Sequence, residues 1–160
     1  MWPKLEVLNL SYNHIPISSL SYLGHLGIGC SGGLLKELDL SGNLLTHLPE
    51  DLSFLRSLET LILSHNHFSS TSNVFNPNKY FISFASIPRL KRLDLSHNQL
   101  KALHAEELLL KTHNYSIFRT LVELDISFNQ VKRQEDLMQA VNFKGLNILN
   151  IVGNPLVIEA

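Results

Sequence analysis

One pattern constrains this chain more than any other: L-x-x-L-x-L-x-x-N-x-L, with apolar substitutes, returns six times in 160 residues. The first copy runs through Leu5, Leu8, Leu10, Asn13 and Ile15, the second through Leu35, Leu38, Leu40, Asn43 and Leu45. The third holds Leu58, Leu61, Leu63, Asn66 and Phe68, and the fourth Leu90, Leu93, Leu95, Asn98 and Leu100. The fifth holds Leu121, Leu124, Ile126, Asn129 and Val131, and the last Leu146, Leu149, Ile151, Asn154 and Leu156. The repetition explains why 32 residues, one in five, are leucine. In each copy the x-L-x-L-x core alternates with period two, which makes a short strand with leucines on one face and polar groups on the other. Such a strand cannot stand alone and must stack on the next copy. Connections of about 15–20 residues are long enough to cross back and begin a parallel neighbour. The asparagine follows at a tight bend, where its amide can bond backbone groups of its own and the adjacent turn. Losing such a buried bond costs about 1–3 kcal/mol. Asn13, Asn43, Asn66, Asn98, Asn129 and Asn154 are therefore read as a structural ladder rather than as ligand contacts.

The pattern resembles the leucine-rich repeat family, of the intracellular type, over nearly the whole chain. Successive asparagines are 30, 23, 32, 31 and 25 residues apart, and only the intervals of 23 and 25 fall inside the family's usual period of about 20–29. The resemblance implies an α/β solenoid, a curved right-handed stack with a short-stranded parallel sheet on its concave face and short helices and loops on its convex face. One domain over residues 1–160 is expected, with repeats starting near 5, 35, 58, 90, 121 and 146. Only four residues precede Leu5, so an N-terminal polar cap, which solenoids normally require, is expected to be missing. The closing G-N-P-L at residues 153–156 is similar to the last repeat of many intracellular members. Further repeats or flanking domains of the same protein are expected.

The connections differ. Residues 44–57, LLTHLPEDLSFLRS, read as a regular short repeat with Leu48, Leu52 and Leu55 inward and Pro49 ending the strand before one helical turn. Residues 105–111 read as a longer helix with Leu108 and Leu109 inward and Glu106 and Glu107 in its first turn. Residues 134–141 read as a second short helix burying Leu137, Met138 and Val141. Residues 24–33, with five glycines, read as a mobile surface loop. Residues 69–87 read as an extruded loop followed by a helical or extended return that packs Tyr80, Phe81 and Phe84 beneath the sheet.

The side chains between the leucines are expected on the concave face, the usual binding surface of solenoids. One column is Val7, Glu37, Thr60, Arg92, Glu123 and Ile148; the next is Asn9, Asp39, Ile62, Asp94, Asp125 and Asn150. A third is Ser11, Ser41, Ser64, Ser96, Ser127 and Val152, with Tyr12, His65, His97 and Phe128 at the rim. The candidate partner-binding set is Glu37, Asp39, Thr60, Ile62, Ser64, Arg92, Asp94, Ser96, Glu123, Asp125 and Phe128. Its middle is acidic and its edges apolar, which complements a protein segment carrying Lys or Arg with an aromatic or aliphatic anchor. Six strands span roughly 24 Å and offer on the order of 300–400 Å², whereas a stable interface needs roughly 800 Å² per partner. Adjacent loops or further repeats must therefore contribute.

The formal charge of −1 leaves no basic surface for nucleic acid or anionic membrane. Arg89, Lys91 and Arg92 make a basic spot too isolated for a nucleic-acid stripe. No run reaches the roughly 18 apolar residues of a membrane span, and the N-terminus lacks a secretory pattern. With Cys30 as its one cysteine the chain can form no internal disulfide and no two-cysteine zinc centre. These features predict an intracellular, cytoplasmic setting, with nuclear, cytoskeletal or axonemal placement left open. No phosphate-binding loop occurs and no cofactor is expected. The function expected is non-catalytic: a scaffold or adaptor segment binding a protein. Two alternatives stand beside it. One is an extracellular, receptor-type segment whose cysteine caps have been cut away, for which the N-x-[ST] matches at Asn9 and Asn114 speak. The other is a metal or hydrolytic site built on His65, His97 and Asp94, with His67 nearby and Ser64 as the nucleophile.

Overall fold

A computed structural model of the chain describes residues 4–20, 33–69, 79–104 and 118–156. The expectations for residues 24–32 and 105–111, the extruded part of 69–87, Cys30, Asn114 and the Tyr80 side chain lie outside the described residues. The six repeat cores form six three-residue strands: β1 (Val7–Asn9), β2 (Glu37–Asp39), β3 (Thr60–Ile62), β4 (Arg92–Asp94), β5 (Glu123–Asp125) and β6 (Ile148–Asn150). They pair in sequence order as one parallel sheet, with Leu8, Leu38, Leu61, Leu93, Leu124 and Leu149 in a single row. This is the leucine-rich repeat solenoid that the pattern implies.

The row forms because the leucines point to one side of every strand, and only stacking in register removes them all from water. One cluster of buried apolar side chains runs from Leu20 to Phe143. In the first and last repeats Leu5, Leu8, Leu10, Leu146, Leu149 and Ile151 are only half-buried, since the end strands have one neighbour each.

The short repeat places Leu48, Leu52 and Leu55 in the core, as its spacing predicts. In place of one helical turn it makes two successive tight turns, with Leu55 N–H donating to Leu52 O at 3.0 Å and Leu58 N–H to Leu55 O at 3.3 Å. The return after residue 78 is helical. Helix α2 (Lys79–Ala85) follows a single-turn helix α1 (Ile17–Leu20) in chain order, and it buries Phe81 and Phe84 completely. Buried Ser83 donates from α2 to Leu48 O at 3.3 Å, and Ser86 Oγ accepts Leu52 N–H at 2.8 Å, so α2 is tied to the preceding repeat by polar bonds as well.

One burial expectation is corrected. Residues 134–142 form a 3₁₀ helix, Gln134–Asn142, in which Leu137 packs against the core but Met138 and Val141 are 56% and 64% exposed. The expectation used the period of an α-helix. With three residues per turn, positions i and i+3 share a face, so Leu137 and Ala140 turn inward together while Met138 and Val141 turn outward. Among the described residues no helix is long and apolar enough to cross a membrane.

Candidate functional site

The bend after each strand positions everything on the outer face. Asn43, Asn66, Asn98 and Asn129 are buried, and each amide spans two repeats. Asn66 Nδ2 reaches Leu40 O of the preceding repeat at 3.0 Å and Leu63 O and Ser64 O of its own at 3.1 and 3.2 Å, while its Oδ1 accepts Leu45 N–H at 3.0 Å. Asn154 repeats the arrangement in part, donating to Ile126 O and Ile151 O and accepting from Val131. Asn13 differs: it is exposed and, among the described residues, its amide donates only to Ser11 O, at 3.0 Å.

The aspartate column is partly consumed by the same bends. Oδ1 of Asp39, Asp94 and Asp125 accepts the N–H of Ser41, Ser96 and Ser127 at 2.9, 2.8 and 2.8 Å. Asn9 and Asn150 do the same for Ser11 and Val152. These are local side-chain turns that stabilise the chain reversal. The serines of this third column are corrected from outward contacts to structural positions. Ser64 and Ser96 are only 9% and 8% exposed, and their carbonyls accept Gly42 N–H and His65 N–H from the preceding repeats.

What remains outward converges. Glu37, Thr60, Ile62, Arg92, Asp94, Glu123 and Asp125 line a shallow depression of about 250 Å³ at the centre of the sheet, floored by Leu61 and Leu93. Asp39 lies on the same sheet face but outside that lining, and Phe128 stands half-exposed at the rim. Arg92 is held by Glu123 through two contacts, Nε to Oε2 at 2.8 Å and Nη2 to Oε1 at 3.3 Å. Four carboxylates therefore face one guanidinium that is already paired. A further outer column carries alternating charge that the sequence reading missed, with Glu6–Lys36 and Glu59–Lys91 ion pairs at 3.0 Å each. Its alternation of sign at one repeat position was legible.

The rim residues form a ring stack that was also missed. His65 and His97 lie face to face with centroids 4.1 Å apart and planes inclined by 12°, and His97 stacks on Phe128 at 4.4 Å and 11°. All three residues, with Tyr12, Gly42 and Gly153, have left-handed backbone, φ between 52° and 73°. A Cβ on Gly42 would collide with the Tyr12 ring and one on Gly153 with the Phe128 ring, so those rings lean across the glycines. The mixture of glycine and large rings at one repeat position was the available signal.

This stacking does not fit a shared metal ion. Imidazole lone pairs lie in the ring plane, so parallel rings direct them side by side rather than toward one point. Among the described residues no group of three or more His, Cys, Asp or Glu gathers to hold an ion. Nor does a nucleophilic triad assemble, because Ser64 is buried and Asp94 Oδ1 is bonded to Ser96. Zinc titrated into wild type and into His65→Ala/His97→Ala is expected to give the same heat by calorimetry. Binding present in wild type and lost in the pair would restore the metal alternative.

Three models described as leucine rich repeat match the chain, one over residues 21–68, one over 4–26 and 89–109, and one over 119–132. The chain belongs to the leucine-rich repeat family. Among its relatives, adenylate cyclase of Schizosaccharomyces pombe is 25% identical over 91% of this chain and 9% of its own length. Lumican of Gallus gallus is 35% identical over 81% of this chain and 32% of its own. The leucine-rich repeat chain thus spans less than a third of either relative, and the likeness to the cyclase is confined to a small part of that enzyme. Among solved structures, the leucine-rich repeat ectodomain of the receptor kinase SOBIR1 from Arabidopsis thaliana matches with TM-score 0.50 and 27% identity, over 93% of this chain and 71% of that one. Leucine-rich repeat stacks present an extended concave surface to protein partners, and this chain is built as such an interaction module.

Proposed function

We propose that this chain is a non-catalytic scaffold or adaptor segment that binds a protein partner through the concave sheet face and adjacent loops. The observation that carries this reading is the central depression, where seven outward side chains from four neighbouring strands converge around an acidic surface. A basic partner segment complements it. The lone cysteine supports an intracellular, cytoplasmic setting.

The test is partner capture by wild type and by Glu37→Lys/Asp94→Asn/Asp125→Asn. Asparagine is chosen at the aspartates because Asn9 and Asn150 keep the local turn in their own repeats. Recovery of face-dependent partners is expected to fall about tenfold, in line with the effect of removing interfacial charges. Equal recovery of the same proteins would remove the acidic face from the reading. The likeness to a receptor-kinase ectodomain favours a second reading, an extracellular recognition segment. A glycan on Asn114 in protein from its native source would support that one.

A further inference from the structure

Strand β3 runs through the face as a trough. It brings only Thr60 and Ile62 to the outer surface, whereas its neighbours bring Glu37 and Asp39 on one side and Arg92 and Asp94 on the other. Several of these charges are already engaged. Asp39 Oδ2 accepts Asn9 Nδ2–H of β1 at 3.3 Å and its Oδ1 accepts Ser41 N–H, while the Arg92 guanidinium is turned to Glu123 of β5. Asp125 has both oxygens bonded, to Ser127 N–H and to Asn150 Nδ2–H. Without a partner among the described residues are the Glu37 carboxylate, the Thr60 hydroxyl and Asp94 Oδ2, the other Asp94 oxygen being held by Ser96 N–H. All three line the central depression, and each comes from a different strand. The charge left open there is negative, so the complementary guest is a cation.

The spacing of these acceptors selects the form of the cation. Glu37 and Asp94 lie two strands apart and are offset by two residues along the strand direction, so their α-carbons are about 12 Å from each other. Their oxygens therefore meet a guest from opposite sides, with the Thr60 hydroxyl between them. A guanidinium is a planar fork, best matched by two adjacent oxygens of one carboxylate. Asp94 has one oxygen left, and Glu123 already holds Arg92. A fork on Glu37 alone would leave Asp94 unanswered. An ammonium is a compact charge whose three donors point apart, and three separate acceptors suit it. The aliphatic stem behind such an ammonium has half-buried Ile62 to lie on. We propose that the trough over β3 seats a lysine of the partner protein, its ammonium shared by Glu37, Thr60 and Asp94 and its stem against Ile62. The proposal rests on the interaction reading above and adds which basic residue is read and by which side chains.

Titration with Nα-acetyl-lysine methylamide, and with its arginine and norleucine counterparts, followed by nuclear magnetic resonance, tests it. The lysine derivative is expected to move the amide resonances of Thr60, Ile62 and Asp94 saturably, with a Kd on the order of 10 mM. The arginine derivative is expected to bind about fivefold more weakly, and the norleucine derivative to move none of these resonances. Glu37→Gln and Asp94→Asn are each expected to weaken lysine binding about fivefold. Asp51→Asn removes the same charge from an exposed position outside the sheet and is expected to bind as wild type does. Asp94→Asn retains the acceptor for Ser96 N–H, and unchanged melting temperatures confirm the fold of each variant. Arginine or norleucine binding as tight as lysine, or full lysine affinity in folded Glu37→Gln and Asp94→Asn, overturns the seat. If capture still finds a partner that depends on the acidic face while the lysine derivative leaves these resonances unmoved, this inference alone falls and the broader reading stands.

Discussion

Replacing Asn98 by alanine is expected to lower the unfolding free energy by about 3 kcal/mol, since it removes a buried amide that makes four hydrogen bonds, each worth about 0.5–1.5 kcal/mol net. Asn98 Nδ2 lies 3.1 Å from Leu63 O, 3.1 Å from Leu95 O and 3.0 Å from Ser96 O, and its Oδ1 accepts Phe68 N–H at 3.0 Å. All of these bonds are buried, so water cannot replace the amide. Asn66→Ala should behave alike. Asn98→Asp keeps the acceptor, removes both donors and aims a carboxylate at three carbonyls, so it should be no milder. Asn13→Ala is the internal control: exposed and singly bonded, it should stay within about 0.5 kcal/mol of wild type. Urea denaturation followed by circular dichroism reads all four variants. Equal midpoints for Asn13→Ala and Asn98→Ala would show that the ladder does not hold the repeats together.

Phe81→Ala is expected to cost about 3–5 kcal/mol, the range for truncating a fully buried phenylalanine. The ring meets Phe84 edge-on at 5.9 Å, Phe118 at 6.0 Å and Phe143 at 5.8 Å, and so joins α2 to two later repeats. Removing it opens a cavity that rigid neighbours from three connections cannot close together. Phe128→Ala removes a ring of the same size that is 50% exposed and stacked on His97, and it should cost about 1 kcal/mol. Thermal unfolding distinguishes the two. A Phe81→Ala melting temperature as high as that of Phe128→Ala would mean that the aromatic cluster is not a shared core.

Much of the face was legible before any coordinates. Leu38, Leu61, Leu93 and Leu124 alternate with polar residues, and alternation alone assigns them inward and Glu37, Thr60, Arg92 and Glu123 outward. That inference fails one step past the strand. Ser64 and Ser96 continue the alternation in sequence, but the chain has already turned, and the bend draws them into its own hydrogen bonds. Met138 and Val141 were misplaced for a related reason, because the choice between 3.6 and 3.0 residues per turn depends on packing and not on local pattern. His65 and His97 looked like a pair of ligands while only their spacing was known. Their common left-handed backbone turns them into a stack.

Six leucine repeats and six in-phase asparagines were sufficient to dictate a parallel stack, because no other arrangement hides the one set and bonds the other. Which carboxylate remains free is a different kind of fact. Asp39, Asp94 and Asp125 sit in near-identical local sequences, and each occupies one oxygen within its own bend. The second oxygen is settled by what the two flanking strands bring alongside: an asparagine on one side of Asp39 and of Asp125, but an isoleucine and an aspartate on the two sides of Asp94. Such neighbours lie 25 to 32 residues away in the chain and are set side by side only by register. Hydrogen bonds act over about 3 Å, so the acidic face acquires its asymmetry from the stacking of repeats rather than from any one of them.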